Sequence, residues 1–267
     1  MVRQGRPTGR RRAWRRLAFL GLLVAAAWLA YEAWTWPQVS ALATRPPRTT
    51  AFIERHRAME RAAGRDDRVQ WIWVPYSAIS LPLKRAVIVA EDINFFAHAG
   101  VDLDEVEDAL ERAVERKTLP RGASTITQQL AKNLWLTPSR NPLRKVRELI
   151  LTWQLERTLS KRRILELYLN VVEFGPGIYG VEAAAHRYFG QGAVDIGPVE
   201  AAQLAASLPN PQAWHPGSTS RAYQAHVARI LRRMERADWL ERLLGRDVSG
   251  RGRGWAGSIR PSPGRRR

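Results

Sequence analysis

From Leu17 to Trp36 the chain reads LAFLGLLVAAAWLAYEAWTW, an apolar run interrupted by one charge, Glu32. A helix of about twenty residues spans roughly 30 Å, the thickness of bilayer hydrocarbon. The run therefore predicts a membrane-spanning anchor, with Trp34 and Trp36 placed as an interfacial belt. Ala41-Leu42-Ala43 resembles a signal-peptidase site, but it lies too far beyond the apolar run to favour cleavage. A connector with one helical piece, Thr50 to Ala63, follows. WIWVPYSAISLPL, Trp71 to Leu83, is aromatic and β-branched, and its prolines limit any strand to short pieces. Beyond Lys84 the period is helical. Leu103, Val106, Leu110, Ala113 and Val114 form one predicted apolar face behind an Asp102 cap. Thr125-x-x-Gln128 has capping-box form ahead of Ile126, Leu130 and Leu134. Asn141-Pro142 opens a helix through Thr158, and Ser160 opens another to Asn170. Gly177 to Phe189, Pro198 to Ser207 and Ser220 to Leu244 complete the predicted helices, with Gly245 as a stop.

Charge changes this picture only at the ends. Of the net +18, most comes from seven arginines ahead of Leu17 and seven more in Arg246 to Arg267. The middle is mildly basic. Arginines ahead of the apolar run predict a cytoplasmic N-terminus. The Gly/Pro/Arg-rich end reads as a disordered tail. Five regions result: a basic tail 1–16, an anchor 17–36, a connector 37–70, a folded domain 71–244 and a second basic tail 245–267. The sequence has no cysteine, which excludes disulfides, zinc-thiolate sites and thiol nucleophiles.

Two motifs mislead when taken alone. GPGIYG, Gly175 to Gly180, fits G-x-G-x-x-G, but its flanks read as helices without alternating strands, so a close-approach glycine loop is expected instead of a dinucleotide site. RGRGW near the C-terminus lacks the stacking sheet or recognition helix that nucleic-acid binding needs. The histidines, including His98, lack metal-ligand spacing.

EDINFFAHAG, residues 91–100, sets Glu91 at the end of an apolar run and against Phe95 and Phe96. That environment raises a carboxyl pKa by desolvation, toward the range of a general base; the plainer alternative is a surface acid paired with an arginine. RGASTITQQLAKNLWL, Arg121 to Leu136, stacks Ser124, Thr125, Gln128, Gln129, Lys132 and Asn133 along a helix start, a setting suited to an anion or a sugar. Arg140, Arg144, Lys145 and Arg147 follow, with Glu148 four residues after Arg144; their plainer reading is a solvated face with an ion pair.

Five segments in order carry a resemblance: EDINFFAHAG, RGASTITQQLAKN, RKVRE (144–148), KRRILELYLNVVEFGPGIYGVEAAAHRYFG (161–190) and EAAQLAASLPNPQAWHP (200–216). Together, over about Trp71 to Met234, they resemble the peptidoglycan glycosyltransferases that polymerise lipid II, specifically the monofunctional biosynthetic type. The resemblance implies a mainly α, lysozyme-like helical head with a small membrane-proximal jaw, preceded by one transmembrane helix. It implies Glu91 as catalytic base and Glu148 as a second essential carboxylate. It implies Lys132 and Arg140 as cations for the donor's diphosphate. Asp92, His98, Ser124, Thr125, Gln128, Gln129, Asn133, Arg144 and Lys145 are implied as substrate-binding positions. The chain departs from the family's pattern at Ala123, where many members have glycine, and at Trp214-His215-Pro216.

The implied reaction is β-1,4-glycan synthesis with inversion and release of polyprenyl diphosphate. It needs no obligatory cofactor, although a divalent cation, Mg or Mn, at the diphosphate is compatible with it. The implied partners are lipid II, the growing lipid-linked chain, the membrane and cell-wall synthesis proteins, with no nucleic acid. The implied location is the bacterial inner membrane, with the catalytic domain periplasmic. A lysozyme-like lytic glycosidase and a non-catalytic scaffold are the alternatives. The cations near the carboxylates weigh against the first, because they oppose the protonated acid that cleavage of an unactivated glycoside requires.

Overall fold

A computed structural model describes residues 8–116, 124–137 and 141–245. Helix α1, Thr8–Trp34, is long and apolar enough to cross a membrane. It belongs to a unit ending at Gln38, separate from the compact remainder that begins at Val39.

Within that remainder, the segment after the anchor is packed rather than slack. Helix α2, Ala51–Ala62, is capped by the Thr50 hydroxyl, and its Ile53 is fully buried. A short strand β1, Gln70–Trp71, follows, then helix α3, Leu81–Glu91, which starts behind a Ser80 cap with Pro82 in its first turn. The proline predicted to interrupt a strand instead starts a helix, where its missing N–H has no partner to lose. Next come α4, Leu103–Arg116; α5, Ile126–Trp135; α6, Pro142–Thr158; and α7, Lys161–Val171. Thr125 and Gln128 form the predicted capping box, and Asn141 and Ser160 cap as expected. Ile126, Leu130 and Leu134 are buried.

Helices α3 and α5 are the centres of two helical groups. Helix α3 packs on α9, Pro198–Ser207, α10, Arg221–Glu235, and α11, Trp239–Gly245, while α5 packs on α2, α6 and α7. The expected single helix from Ser220 to Leu244 is divided in two, with a break at 236–238 that lets α11 fold back onto α3.

The expected helix over Gly177 to Phe189 is corrected more substantially. Glu173–Gly175 (β2) and Ile178–Tyr179 (β3) form a hairpin, and helix α8 begins only at Val181 and ends at Phe189. The sheet order is β1-β3-β2, with β1 parallel and β2 antiparallel to β3. Gly180 has φ +78°, and a Cβ there would lie 2.6 Å from the Asn170 carbonyl oxygen. This is the close approach for which only glycine suffices. The Asn170 side chain exchanges hydrogen bonds with Val74 N and O at 2.9 Å each, and its own carbonyl accepts from Trp71 Nε1 at 2.7 Å, tying β1 to α7.

The predicted face of α4 is also revised. Ala109 and Ala113 are buried, whereas Leu103, Leu110 and Val114 are 73%, 51% and 79% exposed. The small residues of α4, not the large apolar ones, therefore face inward.

Burial at the hairpin has a measurable consequence. Glu173 accepts a hydrogen bond from Gln212 Nε2 at 2.7 Å, yet burial pushes its carboxyl up to about 7, against the backbone N–H of Gly177 and Gln212. The folded state holds this proton more tightly than the unfolded chain, so stability falls as pH rises from about 4.5 to about 7 and stays reduced above that. Glu173→Gln should therefore raise Tm by roughly 5 °C at pH 8 and leave it unchanged at pH 4. Equal effects at both values in a thermal melt would contradict this account.

Candidate active site

The two helical groups meet where α3 ends and α5 begins. Val87, Ile88 and Val89 are fully buried, so α3 runs deep into the core and delivers Glu91, its last residue, at the edge of a cavity. Asp92 is the C-cap, and its buried carboxylate turns to α5: Oδ2 accepts from Ile126 N at 2.9 Å. A carboxylate at a helix N-terminus satisfies an otherwise orphaned donor and the positive end of the helix dipole. His98 Nδ1 accepts from Gly100 N at 3.0 Å, which leaves the proton on Nε2, 2.9 Å from Asp92 Oδ1. Thr125 Oγ1 donates to Gly100 O at 2.7 Å. Asp92, braced by His98, and Thr125 thus latch the segment after α3 to the start of α5, while Gln128 bonds back to Thr125 within the cap.

Asp92, His98 and Asp102 also bring possible metal donors within 4.8 Å of one another. Those atoms already answer each other or their neighbours: Asp102 accepts from Asn94 Nδ2 and from Glu105 N, and His98 from Gly100 N. The cluster is closed by its own hydrogen bonds.

Glu91 is half-buried and accepts from Gln129 Nε2 at 2.7 Å. Burial pushes its carboxyl above the ordinary value; the Gln129 bond and the charge of Lys132 partly oppose this, and Asp92 adds to it. On one flank lies an open cavity of about 100 Å³, whose lining includes Asp102, Glu105, Ser124, Thr125 and Arg233. Lys132 approaches from another flank, one helical turn beyond Gln129 on the same face of α5. Burial lowers its ammonium from the ordinary value, Glu148 and then Glu91 hold it up, and Arg144 and Lys145 lower it further. Lys132 is therefore coupled to both carboxylates implied by the sequence.

Glu148 has a side chain only 5% exposed, paired through Oε2 with Arg144 Nη1 at 3.0 Å and through Oε1 with Lys145 Nζ. Asn133 Nδ2 donates to the Gln129 carbonyl at 2.8 Å. Ser124 is exposed at the rim. The structure brings Glu91, Gln129, Lys132, Arg144, Lys145 and Glu148 into one cluster of interacting side chains; Arg140 lies outside the described residues.

Sequence reasoning missed Tyr168, which is fully buried on α7 and whose hydroxyl reaches Gln129 Oε1 at 2.9 Å. It also missed the pair beneath Phe95. Lys161 Nζ meets Glu156 Oε1 at 2.7 Å and sits 4.6 Å from the Phe95 ring centroid, while Thr127 Oγ1 donates to the same Glu156 oxygen at 2.5 Å. Thr127, Lys161 and Tyr168 fall inside segments that carry the resemblance, but their helical spacing marks none of them, nor Glu156, as partners. An acid-base pair under a buried aromatic could have been sought only with the helix packing in hand.

Arranged this way, one proton-accepting carboxylate stands beside a cationic patch that can receive a leaving anion. Comparison with known proteins gives a concordant result. Residues 54–235 match the family model described as Transglycosylase. A biosynthetic peptidoglycan transglycosylase of Thiobacillus denitrificans is 46% identical over 227 residues, covering 84% of this chain and 97% of the relative. The protein of the same description from Azoarcus sp. is 46% identical over 226 residues, with 84% and 97% covered. That from Paraburkholderia xenovorans is 45% identical over 223 residues, with 82% and 92% covered.

Proposed function

The chain belongs to the transglycosylase family, and from that premise we propose that it is a peptidoglycan glycosyltransferase that polymerises lipid II in cell-wall synthesis. The observation that carries the reading is the half-buried carboxyl of Glu91, held by Gln129 Nε2 at 2.7 Å, with Lys132 one turn further along the same face of α5. In the proposed reaction the donor's C1–O bond to diphosphate breaks as the acceptor's 4-hydroxyl oxygen bonds to C1 from the opposite face. The hydroxyl proton passes to Glu91, and polyprenyl diphosphate departs toward Lys132, Arg140, Arg144 and Lys145. A single displacement inverts α to β. A diphosphate needs no general acid to leave, so positive charge suffices there.

No obligatory cofactor is part of this proposal. Both oxygens of Glu148 are already paired with cationic side chains. A magnesium or manganese ion would enter as a companion of the diphosphate rather than on that carboxylate.

Helix α1 supplies a single-pass anchor by length and composition. We propose an inner-membrane location with the N-terminus cytoplasmic and the catalytic domain periplasmic; the arginines ahead of the apolar run support it. Leu143, Val146, Ile150 and Trp153 line one exposed side of α6, beside Arg144 and Lys145, which suits a substrate held at a lipid surface. Tethering raises the effective concentration of such a substrate. Deleting residues 1–36 should accordingly slow polymerisation of long-chain lipid II more than of a short-lipid analogue; equal slowing of both would remove the anchor from the mechanism.

Incubation of the purified full-length protein with labelled lipid II tests the function itself. Polymer is expected. Muropeptide release from finished wall would favour a lytic enzyme, and neither product would favour a scaffold for other cell-wall proteins.

A further inference from the structure

The two oxygens of Glu91 have different surroundings. Oε2 accepts from Gln129 Nε2 at 2.7 Å, and the other end of that amide, Oε1, faces the Tyr168 hydroxyl at 2.9 Å. An ionised carboxylate only accepts, so it requires the NH2 end of the amide, and the phenol then donates to the oxygen end. The backbone of Gln129 is held as well, through Asn133 Nδ2. Three helices, α7, α5 and α3, thereby contribute one link each to a single hydrogen-bonded chain. Tyr168 is fully buried, and burial, followed by the charges of Glu91 and Asp92, keeps its phenol well above the ordinary value. It remains a donor wherever Glu91 can titrate.

We propose that Tyr168 is a positioning residue for the base: acting through the Gln129 amide, it immobilises Glu91 Oε2 so that Oε1 alone is offered to the acceptor hydroxyl. This rests on the reading of Glu91 as the base. A carboxylate with one oxygen tethered cannot swing about its terminal bond, so the free oxygen keeps the alignment that proton abstraction needs. The tether also bonds the charged form and so limits the rise in proton affinity that burial causes. Gln129 is thereby occupied at both ends of its amide, which makes it part of the base's support.

The charged groups facing Glu91 are Asp92 at its own helix end and Lys132 on α5, with Arg144, Lys145 and Glu148 behind it on α6; Asp102, Glu105 and Arg233 border the cavity. Removing one phenolic oxygen from Tyr168 alters none of these charges. A change in the titration of Glu91 on that substitution must then come through Gln129.

Kinetics of the full-length protein with lipid II across pH provide the test. Tyr168→Phe keeps the buried ring and should lower kcat about tenfold, leave KM within about twofold, and move the acid limb of kcat to higher pH. Gln129→Met removes the bond at its other end and should move the limb the same way. The double variant should be no slower than Gln129→Met alone, because both changes break one chain. If Tyr168→Phe does not fold, the limb of Gln129→Met decides. An unmoved acid limb in the folded variant, an effect confined to KM, or additive losses in the double variant would each overturn the proposal. A wild-type protein that makes no polymer would overturn the glycosyltransferase reading and this proposal together, whereas an active wild type with an unmoved limb overturns the positioning role alone.

Discussion

Replacing Glu91 with glutamine should reduce glycan polymerisation by about 10³-fold in kcat, with KM for lipid II little changed. The substitution is nearly isosteric, and the new amide oxygen can still accept the Gln129 Nε2 bond that Glu91 Oε2 now holds at 2.7 Å. What disappears is the ability to take a proton. The half-buried carboxyl sits above its ordinary value because burial outweighs Gln129 and Lys132. A base must be ionised to work, so wild-type activity should fall as pH drops through that raised value, and this acid limb should be absent from any residual activity of Glu91→Gln. A thermal melt would confirm an intact fold. Retention of more than about a tenth of the wild-type rate would remove Glu91 from the role of base.

Lys132→Met should have the next largest effect, about 10² to 10³-fold in kcat/KM. The ammonium is half-buried, and its position between Glu148 and Glu91 places a compact charge where the diphosphate would accumulate negative charge. Methionine keeps length and apolar contact without the charge. Glu148 retains its bonds to Arg144 and Lys145, so its buried carboxylate is not orphaned and the fold should survive. The substitution carries a second signature. Lys132 holds Glu91 down, so its loss should move the acid limb upward, in the opposite sense to a stabilised carboxylate. Burial lowers Lys132 itself, so the wild type should also lose activity at alkaline pH as that charge is neutralised. An alkaline limb that persists in Lys132→Met would assign it to another group.

Much of the local architecture was legible in the sequence because its causes are local. Thr125 and Gln128 are three residues apart, and a helix start brings them together wherever it lies. The same holds for Arg144 and Glu148, whose four-residue spacing becomes a 3.0 Å ion pair. Periodicity was less reliable about what each face meets. On α4 it grouped Leu103, Leu110 and Val114 with Ala113, yet only the alanines are inside. The hairpin at Glu173–Tyr179 was missed because strands of two or three residues leave no alternating pattern, and their stability comes from β1, a hundred residues earlier in the chain.

The sequence by itself determined the apolar anchor, the basic ends, most of the helices with their caps, and the residue types of a base beside cations. Only the tertiary structure decided that Glu91, Gln129 and Tyr168, on three different helices, share one chain of hydrogen bonds, and that the face of α5 bearing Gln129 and Lys132 is the one turned to Glu91. The reason is physical. Hydrogen-bonding caps and helical spacing act over a few residues, whereas desolvation and charge coupling depend on which distant surfaces close over a group.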